Sequence, residues 1–136
     1  MPLVSILMPV RDDLRTLPDC LESIQKQSLK DWELVVVDDG SSDGSGEFLL
    51  ETAAKDSRIR VLRERPRGIV AALNSGLAAC AGSYVARMDA DDRMRPERLE
   101  TQLAFLQRET QVDFCGSRVE PFTEEGPVSE NVQRYH

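Results

Sequence analysis

Apolar runs of strand length, each broken off by a polar loop and followed by a helix-spaced stripe, constrain this chain more than any other feature. Val4-Ser5-Ile6-Leu7-Met8-Pro9 is the first run, and Pro9 is expected to end it because proline cannot donate to a central ladder. From Asp13 to Gln27 the positions Leu14, Leu17, Leu21 and Ile24 recur at three- and four-residue steps, which predicts a helix with one buried face. Trp32 to Val37 is a second run, cut short by Asp38-Asp39-Gly40-Ser41-Ser42-Asp43-Gly44, a stretch of turn formers and helix-capping residues. Phe48, Leu49 and Ala53 then mark a second helix and Ile59 to Leu62 a short strand. Val70, Leu73, Leu77 and Ala81 mark a third helix closed by Gly82. Tyr84 to Met88 is the next strand. Pro96 suits the first turn of a helix carrying Leu99, Leu103 and Leu106, and Val112-Asp113-Phe114-Cys115 reads as one more strand.

Strands that alternate with helices, several of them continuously apolar, imply an α/β domain, with a mostly parallel sheet covered by helices on both faces. In such sheets ligands bind outside the carboxyl ends of the strands. Three loops lie there, after Pro9, after Val37 and after Met88, and two of them are acidic. The last, Asp89-Ala90-Asp91-Asp92, holds three carboxylates within four residues. Like charges ~4 Å apart repel by roughly 1 to 4 kcal/mol per pair, depending on the effective dielectric. A hard divalent cation, Mg2+ or Mn2+, offsets that repulsion and suits oxygen ligands shared with a substrate's phosphates. The bland alternative is a solvated loop that places negative charge before the next helix, worth roughly 0.3 to 1 kcal/mol. Asp38, at the same end of a neighbouring strand, favours the first reading, because a carboxylate there can accept from a base N–H or a ribose hydroxyl. Asp43 or Ser45 suits a helix N-cap. Arg67, just before the third helix, can face a pyrophosphate or base, whereas Arg63 and Arg65 read as solvated surface and Asn74 as a loop brace.

Composition closes off other classes. At 136 residues with 40% hydrophobic and 30% charged side chains, the chain suits one soluble domain, and its net charge of −7 speaks against a nucleic-acid surface. Cys20, Cys80 and Cys115 are odd in number and lie in apolar stretches, as buried thiols of a reducing compartment do. No run nears the ~20 apolar residues that cross a bilayer, and Met1-Pro2-Leu3 leads into a strand, so a cytoplasmic location is expected. The one histidine, His136, is terminal and supports no hydrolytic triad; no cysteine spacing suits zinc, and no glycine-rich phosphate loop is present.

Four segments in this order, Val4 to Asp12, Leu34 to Asp43, Gly68 to Asn74 with Gly76-Leu77, and Ala86 to Asp92, resemble the family 2 glycosyltransferases. The match spans residues 3–118. Arg87 to Asp92, with Pro96 to Glu100 and Gln102, is similar to bacterial enzymes that build exopolysaccharide and O-antigen repeats, including the amylovoran type. The resemblance implies a GT-A fold with a Rossmann-like sheet, a nucleotide-diphosphate sugar donor (expected to be a UDP-sugar) and Mg2+ or Mn2+. Carried over by position, Pro9, Val10, Arg11 and Asp38 hold base and ribose, Arg67 contributes to donor binding, Asp89 contacts ribose or sugar, and Asp91, with Asp89, holds the metal. Leu73 and Pro66 stand where many relatives have arginine and asparagine.

The family reaction implied is inverting transfer to a hydroxyl of a growing surface polysaccharide or lipid-linked oligosaccharide. The full-length enzyme would associate peripherally with the inner face of the cell membrane. Residues 1–120 are expected to be the nucleotide-sugar-binding portion, with 121–136 opening an acceptor-side portion and the catalytic base beyond His136. Two other readings fit less well. A sugar-phosphate nucleotidyltransferase wants a glycine-rich, arginine-containing loop right after strand 1, which Pro9 to Asp13 does not supply. A non-catalytic receiver domain wants its phosphoacceptor at the end of strand 3.

Overall fold

The structure, a computed structural model, describes residues 1–123 and 126–127. Four strands form one parallel sheet in the order β3-β2-β1-β4, where β1 is Val4–Val10, β2 Trp32–Asp38, β3 Ile59–Arg63 and β4 Tyr84–Arg87. Helices α1 (Leu17–Gln25), α2 (Ser45–Lys55) and α3 (Ile69–Ala79) make the crossovers, and α4 (Arg98–Arg108) follows β4. The two central strands are the apolar runs: Ile6, Leu34, Val35, Val36 and Val37 are all fully buried, as strands covered on both faces must be. The chain divides into two compact units, Met1–Glu100 and Thr101–His136. In the second, β5 (Phe122–Thr123) pairs antiparallel with β6 (Gly126–Pro127).

The two faces of the sheet are covered differently. Met8 meets the Cys20 sulfur of α1 at 3.5 Å, and Asp38, on the same face, meets Gly46 of α2. On the opposite face Leu7 and Val37 lie against Gly76 of α3, where a Cβ would collide with both. Close approach explains why α3 buries small residues. Its buried positions are Ala72 and Gly76, while Val70 and Leu77 are 69% and 52% exposed. The expected stripe of Val70, Leu73, Leu77 and Ala81 is thus corrected: size decides which face of α3 meets the sheet, and the bulky side chains are the ones that do not fit.

Gly82 does not close that helix. Cys80 leaves it in extended conformation, and Gly82 instead passes so close to β1 that a Cβ would stand 2.6 Å from the Ser5 backbone nitrogen. A buried polar group fixes this passage. Glu33 accepts from the Ser5 hydroxyl at 2.6 Å and the Ala81 amide at 2.7 Å, Ser5 in turn accepts from the Gly82 amide at 2.8 Å, and Arg60 reaches Glu33 at 3.1 Å. Burial opposes the Glu33 charge, but these donors overcome it and hold its pKa below the ordinary value. A lowered carboxyl pKa contributes stability above the unfolded-state value and loses it as pH falls through the folded-state value. Glu33→Gln is therefore expected to lower stability at neutral pH by about 1–3 kcal/mol. It should also flatten the acid limb of the stability profile, measured by denaturant unfolding from pH 7 to 3.

Three further expectations are revised. Pro9 lies inside β1, paired with Val37, and the strand runs on to Val10. Leu7 accepts from Met88 on the β4 side and Val10 from Asp39 on the β2 side, so Pro9 turns its missing N–H toward β4, beyond that strand's last pair, Leu7 with Arg87. Val112 to Cys115 is not a strand; Phe114 is 85% exposed, and no neighbouring strand among the described residues supplies a ladder. Of the cysteines only Cys20 is fully buried, Cys80 and Cys115 being partly exposed, and all three are free. Residues 128–136, with His136 and the expected acceptor-side opening, lie outside the described residues.

Candidate functional site

The three loops expected to matter gather at the carboxyl edge of the sheet, because the register aligns Val10 with Asp38 and ends β4 just before Met88 and Asp89. The loops after β1 and β2 are latched to each other. Asp12, held at φ +52, donates its amide to Ser41 Oγ at 2.9 Å and accepts from the Ser42 amide at 2.7 Å. Asp13 donates to Ser45 Oγ, and Leu14 to Asp43. Aspartate tolerates the left-handed conformation at Asp12 because its short side chain bonds locally. Asp43 also accepts from the Ser45 amide at the start of α2, but the N-cap expected at Asp43 or Ser45 is Gly44, which lacks a side chain to cap with, so neither residue holds that position.

The acid pair is buried, Asp38 at 1% exposure and Asp39 at 4%. Asp38 accepts from the Ser41 amide at 3.0 Å and lies 3.3 Å from Nε of Arg63, which places Arg63 on a buried carboxylate rather than free in solvent. Asp39 ties the edge together. Its two oxygens accept the Arg67 and Gly68 amides at 2.8 and 3.0 Å, and Arg11 approaches at 3.9 Å. A buried carboxylate needs such donors to hold its charge. Arg11 is exposed, the Val10 side chain is buried, and Pro9 is half-buried. The Arg67 guanidinium, 55% exposed, rests on Glu64 at 2.8 Å and Ser75 at 3.1 Å. Asn74 and Arg65 are exposed.

At the end of β4, Asp89, Asp91 and Asp92 are exposed, and each turns a carboxylate oxygen to within 4.8 Å of the other two. Arg87 approaches Asp89 at 3.4 Å. Asp92 is raised above the ordinary carboxylate value, first by partial burial and then by Asp91 and Asp89, with Arg98 opposing. Asp13 is raised likewise, by burial and then by Asp91, Asp43 and Asp12, against a bond from the Arg11 amide. The Cys20 thiol below them is pushed up to about 12 by burial and then by Asp92, Asp91, Asp13 and Asp89. Three hard oxygen donors this close fit Mg2+ or Mn2+.

Sequence reasoning singled out Asp38 and passed over Asp39 and Asp13. Adjacent aspartates alternate sides of the chain, and nothing in the sequence tells which one meets the α3 loop. Asp13 read as a helix start; only the fold brings it into the field of Asp91.

A parallel α/β sheet binds its ligands outside the carboxyl ends of its strands, and that is where the acidic and arginine-bearing loops stand. Residues 5–134 match Glycosyl transferase family 2, and the chain belongs to that family. It is 39% identical over 127 residues to the putative glycosyltransferase EpsE of Bacillus subtilis (strain 168), covering 92% of this chain and 46% of EpsE. To the putative teichuronic acid biosynthesis glycosyltransferase TuaG of the same organism it is 36% identical over 117 residues, covering 85% of this chain and 46% of TuaG. The S. aureus TarS 1-349 crystal structure in complex with UDP-GlcNAc superposes with a TM-score of 0.73 at 24% identity, over 90% of this chain and 38% of that one. The mannosyltransferase PcManGT from Pyrobaculum calidifontis in complex with GDP-Man and Mn2+ gives 0.72 at 24% identity, over 88% and 34%. The fold is of the GT-A type, and the chain spans less than half the length of these proteins.

Among the described residues no helix is long and apolar enough to cross a membrane.

Proposed function

We propose that this chain carries the donor-binding portion of a metal-dependent, inverting glycosyltransferase. Its substrate is a nucleoside diphosphate sugar, with UDP as the expected nucleotide, and its acceptor a hydroxyl of a surface polysaccharide or lipid-linked oligosaccharide. The observation that carries this reading is the triad Asp89, Asp91 and Asp92, standing on the same sheet edge as the loops that Asp39 joins. The names of EpsE and TuaG and the ligands in the TarS and PcManGT structures agree with it.

In this reading Pro9, Val10 and Arg11 offer backbone and guanidinium to base and ribose. Asp38, buried on Arg63 and bonded to the Ser41 amide, stands with them on the base and ribose side, and Arg67 meets the diphosphate. Asp91 and Asp89 are the metal ligands, Asp89 also facing the ribose or sugar. A bound Mg2+ or Mn2+ supplies charge neutralisation for the departing diphosphate. We assign residues 1–120 to donor binding and 121–136 to the start of an acceptor side, in an enzyme working at the cytoplasmic face of the membrane.

Thermal unfolding with UDP, GDP or ADP, each with and without Mn2+, tests the reading. At a nucleotide concentration a hundred times Kd, stabilisation is about 2.7 kcal/mol, a rise of several degrees in Tm. It is expected only when metal and nucleotide are both present; an equal rise without metal contradicts it. None of the assigned groups takes the acceptor's proton, so these 136 residues alone are expected to bind donor without transferring sugar. Glycoside formation by the isolated chain, detected by mass spectrometry, contradicts that assignment.

A further inference from the structure

The acidic loop raises a mechanical question: three carboxylates push one another apart, so the backbone that carries them must be held from outside. One face of α1 and the residues bordering it does this. Thr16, Cys20, Ser23 and Gln27 recur at steps of four, three and four, which puts them on a single helical face. Thr16 is the N-cap of α1, yet its hydroxyl makes no cap bond; it faces the Ala90 carbonyl at 3.0 Å, with the Asp13 carbonyl farther off at 3.3 Å. The Cys20 sulfur lies 3.6 Å from the Asp89 carbonyl. Ser23 Oγ accepts from the Met94 amide at 3.0 Å while donating to the Cys20 carbonyl at 2.7 Å. Gln27, fully buried, donates to the Arg95 carbonyl at 2.7 Å and accepts from the Leu99 amide, an orphan donor of the first turn of α4, at 3.1 Å. Ala90 and Met94, between these bonds, are themselves buried at 4% and 5% exposure.

Apart from the Ser23 bond to the Cys20 carbonyl, each of these bonds goes to main-chain atoms of the segment from β4 to α4. The stripe therefore fixes where the carboxylates start, whatever side chains the loop bears. We propose that Thr16, Ser23 and Gln27 are positioning residues that set the geometry of the Asp89 to Asp92 loop for a divalent cation, an assignment that rests on the cation reading above. A hydroxyl or amide lost from the stripe leaves a loop carbonyl or amide unpaired, and the loop yields to the repulsion among its own carboxylates.

Thr16 and Ser23 carry the test, because both are only partly buried and Thr16 makes no cap bond. Thr16→Val, Thr16→Ser and Ser23→Ala are made in the 136-residue chain, and three quantities are measured. These are Mn2+ affinity by electron paramagnetic resonance, amide hydrogen exchange of residues 88–95 without metal, and the denaturant midpoint. Thr16→Val and Ser23→Ala are expected to weaken Mn2+ binding about tenfold, as loss of an outer-shell partner does. Exchange in the loop should quicken while the midpoint and the β1 and β2 amides stay unchanged, and Thr16→Ser should restore both properties. Unchanged Mn2+ affinity and unchanged loop exchange in both variants would overturn the proposal. If the wild-type chain takes up no Mn2+, the cation reading fails separately, and the exchange result alone decides whether the stripe holds the loop.

Discussion

Asp91→Asn is expected to abolish metal-dependent nucleotide binding while leaving the protein folded. The loss should exceed the roughly 10–100-fold that follows removal of an outer-shell partner, because this change deletes a ligand. Stability without metal should hold or rise slightly, since Asp91 adds to the repulsion that raises both Asp92 and Asp13. That pairing of outcomes separates a cation site from an acidic surface loop. A loop that only favours the start of α4 electrostatically would lose a few tenths of a kcal/mol of stability and no ligand affinity. Calorimetric titration with Mn2+ and UDP, alongside denaturant unfolding of both proteins, reads the two arms.

The second large effect is expected far from that edge. Gly82→Ala sets a methyl group against the backbone nitrogen of Ser5 in a central strand, at 2.6 Å, where a side-chain rotation gives no relief. Backbone of β1 must shift, and the bond from the Gly82 amide to Ser5, part of the Glu33 group, shifts with it. Overpacking of this kind costs about 1–3 kcal/mol. Gly116→Ala, where an added Cβ meets nothing within 4 Å, is the control and should change stability by less than ~1 kcal/mol. Equal effects of the two substitutions in denaturant unfolding would contradict the close-packed α3 to β4 passage.

The sheet was legible because its central strands are apolar on both faces: Leu34 to Val37 admits no other reading once a polar turn follows it. The acidic triad was legible for a similar reason, as charge concentrated at the end of such a strand. Where sequence reasoning went astray, a tertiary contact had overruled a local pattern. Val70 and Leu77 form a helical stripe, but the sheet accepts only Ala72 and Gly76 at that distance. Val112 to Cys115 has strand-forming residues and no partner strand among the described residues, and a strand without a ladder leaves its backbone unpaired. Arg63 looks like any surface arginine until β3 places it beside the buried Asp38. The α1 stripe was hidden because Thr16, Ser23 and Gln27 act on backbone atoms more than sixty residues away, and no side-chain pattern announces such partners.

The central claim, that a divalent cation at the end of β4 organises the donor site, is tested most directly by locating Mn2+ in solution. In a nitrogen-15 correlation spectrum, substoichiometric Mn2+ with UDP is expected to broaden the amides of Asp89 to Asp92 first and that of Asp13 next. The amides of Val10, Arg11, Arg67 and Gly68 should shift with the nucleotide. Broadening centred on another acidic region, such as Glu22 or Glu109, or spread evenly over the surface, would contradict the account.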